Sequence, residues 1–210
     1  IAARESRKKN SIEFANLYWK ATLMLAPYFF EDFLYYMEKD RAPQKRFYMP
    51  RRRTLKVVVD DLQDLEDGKL DFYGLSMPPR VGKSTICIFF MAWIMGKRPN
   101  SHNAMSGHSG ILADGFYSEA LNLMELDVPE DKRQYHFTDI FPQTFLMKKS
   151  AEKKEVTLND PDRFATLTCR GIDGTWTGAV DISWDGYLYV DDMVRDRQES
   201  LSPSRLEGRY

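Results

Sequence analysis

Residues 74–96 of the chain read GLSMPPRVGKSTICIFFMAWIMG, a segment with prolines and glycines that runs into an almost uninterrupted apolar stretch. Its middle matches the second half of a phosphate-binding loop, in which backbone N–H groups at the start of a helix surround a phosphate. Gly82 permits close approach of the backbone, Lys83 supplies positive charge, and Ser84 supplies a hydroxyl for Mg²⁺. The apolar run that follows predicts the helix that such a loop precedes, with Gly96 as its stop.

The first half of the loop departs from the usual pattern G-x-x-x-x-G-K-[ST]. Met77 stands where the first glycine is expected, and Pro78 and Pro79 have no backbone N–H to donate. The Arg80 side chain would lie beside the γ-phosphate and neutralise charge in the transition state, and an Arg paired with an acid such as Asp192 is the alternative. The residues expected to bind nucleotide are Pro79, Arg80, Val81, Gly82, Lys83, Ser84 and Thr85.

A second motif ends in two acids. Residues 187–192 read YLYVDD, an apolar run that predicts a strand closing on Asp191 and Asp192. In an ATPase the first carboxylate holds Mg²⁺, usually through water, and the second polarises the water that attacks the γ-phosphate. We therefore expect Ser84 and Asp191 at the metal and Asp192 as the catalytic base. A solvated strand end is the alternative interpretation of the same pair.

The sequence between these motifs alternates predicted strands and helices. A phosphate loop at the end of a strand in such a pattern predicts a mainly parallel sheet between helices, with ligand at its carboxyl edge. We therefore expect an α/β P-loop NTPase fold, RecA/ASCE-like, with an N-terminal helical arm. Residues 1–53 are expected to form the arm and a basic connector, and residues 54–210 the ATPase domain. The predicted elements are two helices within 11–40 broken at Pro27, helices at 54–68, 86–95 and 113–126, and strands at 72–76, 103–106, 156–158, 164–169 and 187–190.

Length and composition set outer limits. The 210 residues are enough for one domain with a substantial core, or for a domain plus an arm. With 30 basic and 31 acidic residues, overall charge argues for no particular partner. Cys87 and Cys169 are expected to be reduced core thiols. The longest apolar run is too short to span a bilayer and no signal peptide opens the chain, which predicts a cytoplasmic protein without a membrane partner. The ends of the sequence suggest a fragment of a longer protein.

The run MPPRVGKS at residues 77–84 resembles the phosphate loop of the large terminase subunit, the DNA-packaging ATPase of tailed bacteriophages and related viruses. Segments 106–109, 164–178 and 187–200 resemble later parts of the same family in the same order, so the resemblance covers about residues 54–200. It implies an ATP- and Mg²⁺-dependent motor that assembles as a homo-oligomeric ring on the capsid portal protein. Such a motor works with a small terminase subunit in the host cytoplasm and drives double-stranded DNA into the prohead. The family's nuclease domain is not expected within this chain.

The resemblance assigns roles and also shows departures. It implies that Lys83 and Arg80 act on the phosphates and that Asp192 is the base, although the family often has Glu at that position. Relatives often place an Arg after the last glycine of segment 171–178, where this chain has Ala179 and Val180. Arg163 and Arg170 are the arginines that could reach the nucleotide of a neighbouring subunit.

Other functions stay open at this stage. A helicase-like ATPase that remodels nucleic acid is one alternative, and a nucleotide-binding switch or small-molecule kinase is another. Basic stretches at 7–9, 41–53 and 148–154 could follow a DNA backbone, and each is equally typical of a solvated face. Within the second stretch, Tyr48 or residues 51–53 could lie against a nucleotide base.

Overall fold

The computed structural model describes residues 2–160 and 162–192, with side chains from residue 11 onward. It divides into two compact units: unit 1 comprises Ile1–Ile86 and Val128–Pro142, and unit 2 comprises Cys87–Asp127 and Gln143–Tyr210. The boundary expected between residues 53 and 54 stays a prediction. The helices are α1 (Ala2–Leu25), α2 (Phe30–Met37), α3 (Tyr48–Glu66), α4 (Lys83–Lys97), α5 (Gly110–Met124) and α6 (Phe137–Ile140), and the strands are β1 (Asn103–Gly107), β2 (Leu146–Ser150), β3 (Glu155–Leu158), β4 (Leu167–Gly171) and β5 (Leu188–Asp191).

Unit 1 is built from helices. The predicted break at Pro27 is confirmed, because α1 ends at Leu25 and α2 begins at Phe30. The Gln63 side chain of α3 accepts a hydrogen bond of 2.8 Å from the backbone N–H of Phe30, which fixes the start of α2 against α3. Large fully buried side chains of this unit include Phe30, Phe33, Leu34, Met37, Tyr48, Leu55 and Phe137.

Helix α3 begins at Tyr48, six residues before Thr54. The predicted start of this helix at Thr54 is therefore wrong. The Glu38 carboxylate accepts hydrogen bonds from the backbone N–H of Phe47, at 2.8 and 2.9 Å, and from that of Tyr48, at 3.0 Å. These bonds satisfy donors that the first turn of a helix leaves unpaired. The cap comes from another part of the chain, so the sequence around Thr54 carries no sign of it.

The expected fold class is wrong, because the sheet of unit 2 is mixed. Its strand order is β2-β3-β4-β1-β5. Strand β1 pairs parallel with β4 and β5, whereas β3 pairs antiparallel with β2 and β4. The chain is thus a small α/β protein with a mixed five-stranded sheet, and the mainly parallel P-loop NTPase sheet is overturned.

Short connections explain the antiparallel half. Only residues 151–154 join β2 to β3, and residues 159–166 join β3 to β4. A parallel pair needs a crossover of a dozen or more residues, so these connections can make only hairpins. Strand β2 was not predicted, because four of its five residues are Met, Lys or Ser, which are not among the residue types enriched in strands.

The strand predicted at residues 72–76 is also wrong. These residues have an irregular backbone, and all strands of the described sheet belong to unit 2. Phe72 is 81% exposed, so the first side chain of the predicted strand is in solvent. An apolar lead-in without a neighbouring strand gains no ladder hydrogen bonds.

In unit 2, helix α5 packs on strands β1 and β4. All five residues of β1 are buried, and the Phe116 ring of α5 meets the Tyr189 ring of β5 edge to face at 5.7 Å. Cys87 and Cys169 are both free and buried, which confirms the predicted core thiols. Burial raises the pKa of Cys169 to about 12. In the part of the chain that the structure describes, no helix combines the length and apolarity needed to cross a bilayer.

Candidate phosphate-binding loop and acidic pair

The predicted phosphate loop forms a tight turn directly before α4. Arg80 has φ 67° and Gly82 has φ 102°, so two residues close together adopt left-handed backbone conformations. Such alternation turns successive N–H groups toward one side of the chain and forms a concave anion-binding surface. For Arg80 this conformation costs about 1–2 kcal/mol. A non-glycine residue held in this way is typical of a ligand-binding turn.

Helix α4 begins where the loop ends. The Gly82 carbonyl accepts the first helical hydrogen bond, 3.0 Å from the backbone N–H of Ile86. Lys83 and Ser84 therefore occupy the first turn, where backbone N–H groups point out of the helix and the helix dipole favours negative charge. Pro79 and Arg80 are exposed, and Val81, Gly82, Lys83, Ser84 and Thr85 are half-buried.

Two features require glycine at position 82: its positive φ and the close packing of a neighbouring ring. A Cβ atom at this position would lie 2.6 Å from Cε2 and 2.9 Å from Cζ of Phe47. The Phe47 ring thus packs directly on the loop. The Arg51 guanidinium lies 5.2 Å from the centre of that ring, and its Nη1 donates to the Phe47 carbonyl at 3.1 Å. Phe47 and Arg51 are consequently neighbours of the phosphate loop.

The Glu38 carboxylate holds Phe47 in place, and the Glu31 carboxylate binds two of its neighbours on α3. Glu38, of which 2% of the side chain is exposed, binds the backbone of Phe47 and Tyr48. Glu31 accepts a hydrogen bond of 2.6 Å from the Tyr48 hydroxyl and one of 2.9 Å from Nε of Arg52. Burial and the bond to Glu31 raise the pKa of Tyr48. Tyr48 is thus a buried structural residue, and it is not positioned to lie against a nucleotide base.

The acidic pair ends the edge strand β5. The Asp191 Cα is paired with that of Gly107 across the parallel ladder, and Asp191 is 3% exposed. Asp192 follows with φ 45°, and its carbonyl oxygen lies 3.1 Å from Nδ1 of His108. Because a carbonyl only accepts, His108 carries the proton on Nδ1 in this contact. His108 therefore ties the turn after β1 to the turn after β5.

The loop belongs to unit 1 and the acidic pair to unit 2. In residues 2–160 and 162–192, no cluster of three or more His, Cys, Asp or Glu side chains forms a metal site. Mg²⁺ bound with a nucleotide takes most of its ligands from phosphate and water and only one or two from protein. The Ser84 hydroxyl of unit 1 and the buried Asp191 carboxylate of unit 2 are each an oxygen donor, and their role as metal ligands stays a prediction.

Comparisons with protein-family models, with curated proteins and with solved structures find no match. Sequence reasoning missed Phe47 and Glu38, which shape the neighbourhood of the loop. For Phe47, the only local sign in the sequence was an aromatic residue at the start of α3. For Glu38, the surrounding sequence gave no sign.

A cavity of about 300 Å³ lies at the end of β4 beside the start of α5. Its lining includes Ser109, Gly110, Lys154, Arg170 and Gly171. Both cations are paired, since Lys154 lies 3.3 Å from Asp114 and Arg170 lies 2.8 Å from Glu155. Arg170 is thereby held within its own unit, and Arg163 lies over the Phe164 ring at 5.0 Å. The role of either arginine toward a neighbouring subunit stays a prediction. Residues 193–200 of the resembling segment lie outside the described residues.

Proposed function

We propose that this chain binds ATP with Mg²⁺ at residues 79–85 and hydrolyses it. The observation that carries the proposal is the backbone of the loop: Arg80 and Gly82 are left-handed, and α4 starts at the next residue, Lys83. This arrangement suits a phosphate because it combines a concave set of N–H groups with a helix N-terminus and a lysine. The proposal draws no support from the class of the sheet.

Each residue receives a role in this proposal. Lys83 and Arg80 bind the phosphate oxygens and stabilise the charge that develops on the γ-phosphate. Ser84 and Asp191 are the residues that would hold Mg²⁺, which when bound would neutralise phosphate charge. Asp192 orients the attacking water and accepts a proton from this water.

The resemblance of residues 77–84 to the large terminase subunit suggests what the hydrolysis drives. We propose that the chain is the ATPase motor domain of such a subunit and moves double-stranded DNA into a prohead. Its partners are then DNA, the portal protein, a small terminase subunit and further copies in a ring, in the cytoplasm of the host. An isolated domain of this kind is expected to hydrolyse ATP slowly and faster with DNA.

The experiment is steady-state ATP hydrolysis with Mg²⁺, in the presence and absence of double-stranded DNA. Wild type is compared with Lys83→Ala and Asp192→Asn, and with the exposed controls Lys132→Ala and Asp131→Asn. We expect both site variants to lose at least about a hundredfold in rate, as for removal of a charge-stabilising or base group, and both controls to match wild type. Hydrolysis that survives Lys83→Ala rejects the site, and hydrolysis without a DNA effect rejects the motor while retaining the ATPase.

A further inference from the structure

The Arg51 side chain lies against the phosphate loop. Its Cδ is 3.6 Å from the position that a Cβ atom on Gly82 would occupy. Its guanidinium lies 5.2 Å from the centre of the Phe47 ring, which packs on the same glycine. Arg51 belongs to the first turn of α3, and Gly82 directly precedes α4, so both residues lie in unit 1. A cation from a distant part of the sequence therefore reaches the loop from the side of α3.

The Arg51 guanidinium keeps donors available beside the loop. Arg51 is exposed, and its Nη1 donates to the Phe47 carbonyl at 3.1 Å. A guanidinium carries several further N–H groups, and among the described side chains no carboxylate forms an ion pair with it. The next residue of the helix differs, because Arg52 is paired with Glu31 at 2.9 Å. Of these two neighbouring arginines, the one that meets the loop is thus the one whose charge is not neutralised by an acid of the described chain.

Positive charge gathers around Gly82. Arg80 and Lys83 stand on either side of this glycine in the sequence, and α4 begins at Lys83, so the positive end of the helix dipole adds to their charge. Arg80, like Arg51, forms no ion pair with a carboxylate of the described residues. Cations gathered on one short stretch of surface repel each other, and an anion that contacts them offsets the repulsion. A chain of phosphates, with several negative charges, matches this arrangement better than a single carboxylate does.

We propose that Arg51 is a phosphate-binding residue of this site and that the part of the ligand it recognises is a polyphosphate chain. The inference rests on the proposed nucleotide binding at residues 79–85 and adds a residue that lies outside the loop motif. Arg51 donates N–H groups to phosphate oxygens from the side of α3, while Lys83 and the backbone N–H groups bind from the loop. The sequence alone allowed residues 51–53 to lie against a nucleotide base. The contact at Gly82, the residue before the phosphate-binding lysine, favours the phosphates.

The contacts of Arg51 prepare it for this role. Packing on the Phe47 ring and the bond to the Phe47 carbonyl hold the long side chain in one place, so less side-chain entropy is lost when a ligand binds. The Glu38 carboxylate in turn holds the backbone of Phe47. Arginine suits a phosphate because its planar fork donates parallel hydrogen bonds to two oxygens. Lysine at this position would keep the charge and lose the fork.

Calorimetric titration of the full chain with ATP and with inorganic tripolyphosphate, each with Mg²⁺, tests the inference. Arg51→Met keeps an apolar stem against the loop and removes the charge. We therefore expect its affinity for both ligands to fall at least about tenfold, through loss of a charge-assisted hydrogen bond. Arg51→Lys keeps the charge and is expected to lose only about threefold. The exposed control Lys132→Ala removes a positive charge elsewhere on unit 1 and should bind like wild type.

The outcomes separate the role of Arg51 from the site itself. Urea denaturation of the ligand-free variants checks folding, and Arg51→Gln replaces Arg51→Met if the latter is unstable. Binding that Lys83→Ala weakens and Arg51→Met leaves unchanged would overturn the role of Arg51 and retain the nucleotide site. Equal losses for Arg51→Met and Arg51→Lys would show that packing rather than charge matters, and would also overturn it.

The two ligands identify the part of the nucleotide that is recognised. A loss confined to ATP, or a wild type that binds ATP and not tripolyphosphate, would assign the recognition to the nucleoside and overturn the inference. A wild type that binds neither ligand would overturn the proposed site and the inference together.

Discussion

The phosphate loop and the acidic pair are held in position by different kinds of contact. The loop has an irregular backbone, and the Phe47 ring packs against Gly82. The Glu38 carboxylate in turn accepts a hydrogen bond from the backbone N–H of Phe47. Asp191 instead ends a strand whose ladder with β1 sets its position through main-chain hydrogen bonds. A site anchored by side chains is sensitive to single substitutions far along the chain, whereas a strand end tolerates changes that leave its ladder intact.

Gly82→Ala is expected to have the largest effect. The new Cβ would meet the Phe47 ring at 2.6 Å and would require a left-handed alanine, so we expect a loss of roughly 2–4 kcal/mol of unfolding free energy. Nucleotide binding is expected to fall below detection. Chemical denaturation and nucleotide titration measure the two effects. The double variant with Phe47→Ala should recover part of the stability, and a double variant no more stable than Gly82→Ala would show that Phe47 does not constrain the loop.

Glu38→Ala tests the support behind Phe47. Removing the carboxylate leaves the N–H groups of Phe47 and Tyr48 without their acceptor, so we expect a loss of about 2 kcal/mol. Urea denaturation measures the loss, and nucleotide affinity should fall with it because Phe47 loses its anchor. Glu38→Gln keeps one acceptor and should lose less. Equal stability of the Ala and Gln variants would contradict this assignment.

Gly107→Ala makes the corresponding change beside the acidic pair. A Cβ there would meet Cδ2 of Leu112 at 2.4 Å and the Asp191 carbonyl at 3.3 Å. Because the Leu112 side chain can rotate away, we expect a loss of only about 1–2 kcal/mol, smaller than for Gly82→Ala. Thermal and urea unfolding of the two variants, side by side, measures the difference. A larger loss for Gly107→Ala would reverse the comparison between the two regions.

His108→Ala is expected to have the smallest effect. It removes one exposed hydrogen bond to the Asp192 carbonyl, so we expect a stability change below about 1 kcal/mol. If Asp192 is the base, the hydrolysis rate should fall a few fold while nucleotide affinity is unchanged. Steady-state kinetics separates the two quantities. A change in affinity as large as that for Glu38→Ala would show that His108 acts on the loop.

The sequence predicted those features that depend on nearby residues. Pro27 separates two helices, Gly68 with φ 70° follows the end of α3, and the loop at Gly82 precedes a helix, because each depends on local backbone preference. The packing of Phe47 on Gly82 and the cap from Glu38 could not be predicted, since each joins residues distant along the chain.

The class of the sheet was missed for a different reason. The prediction extended a local motif to the whole fold, and the short connection at residues 151–154, which permits only a hairpin, was not recognised because β2 itself was not predicted. The lead-in at residues 72–76 was assigned as a strand from its apolar residues, although strand formation requires a neighbour.

Calorimetric titration of the chain with ATP and Mg²⁺ tests the central claim most directly, because it measures binding at the loop without requiring turnover. We predict saturable binding that ADP displaces, that Lys83→Ala weakens at least about a hundredfold through loss of a charge-assisted phosphate contact, and that Lys132→Ala leaves unchanged. The absence of binding by wild type, or equal binding by wild type and Lys83→Ala, would contradict the assignment of residues 79–85 as a nucleotide site.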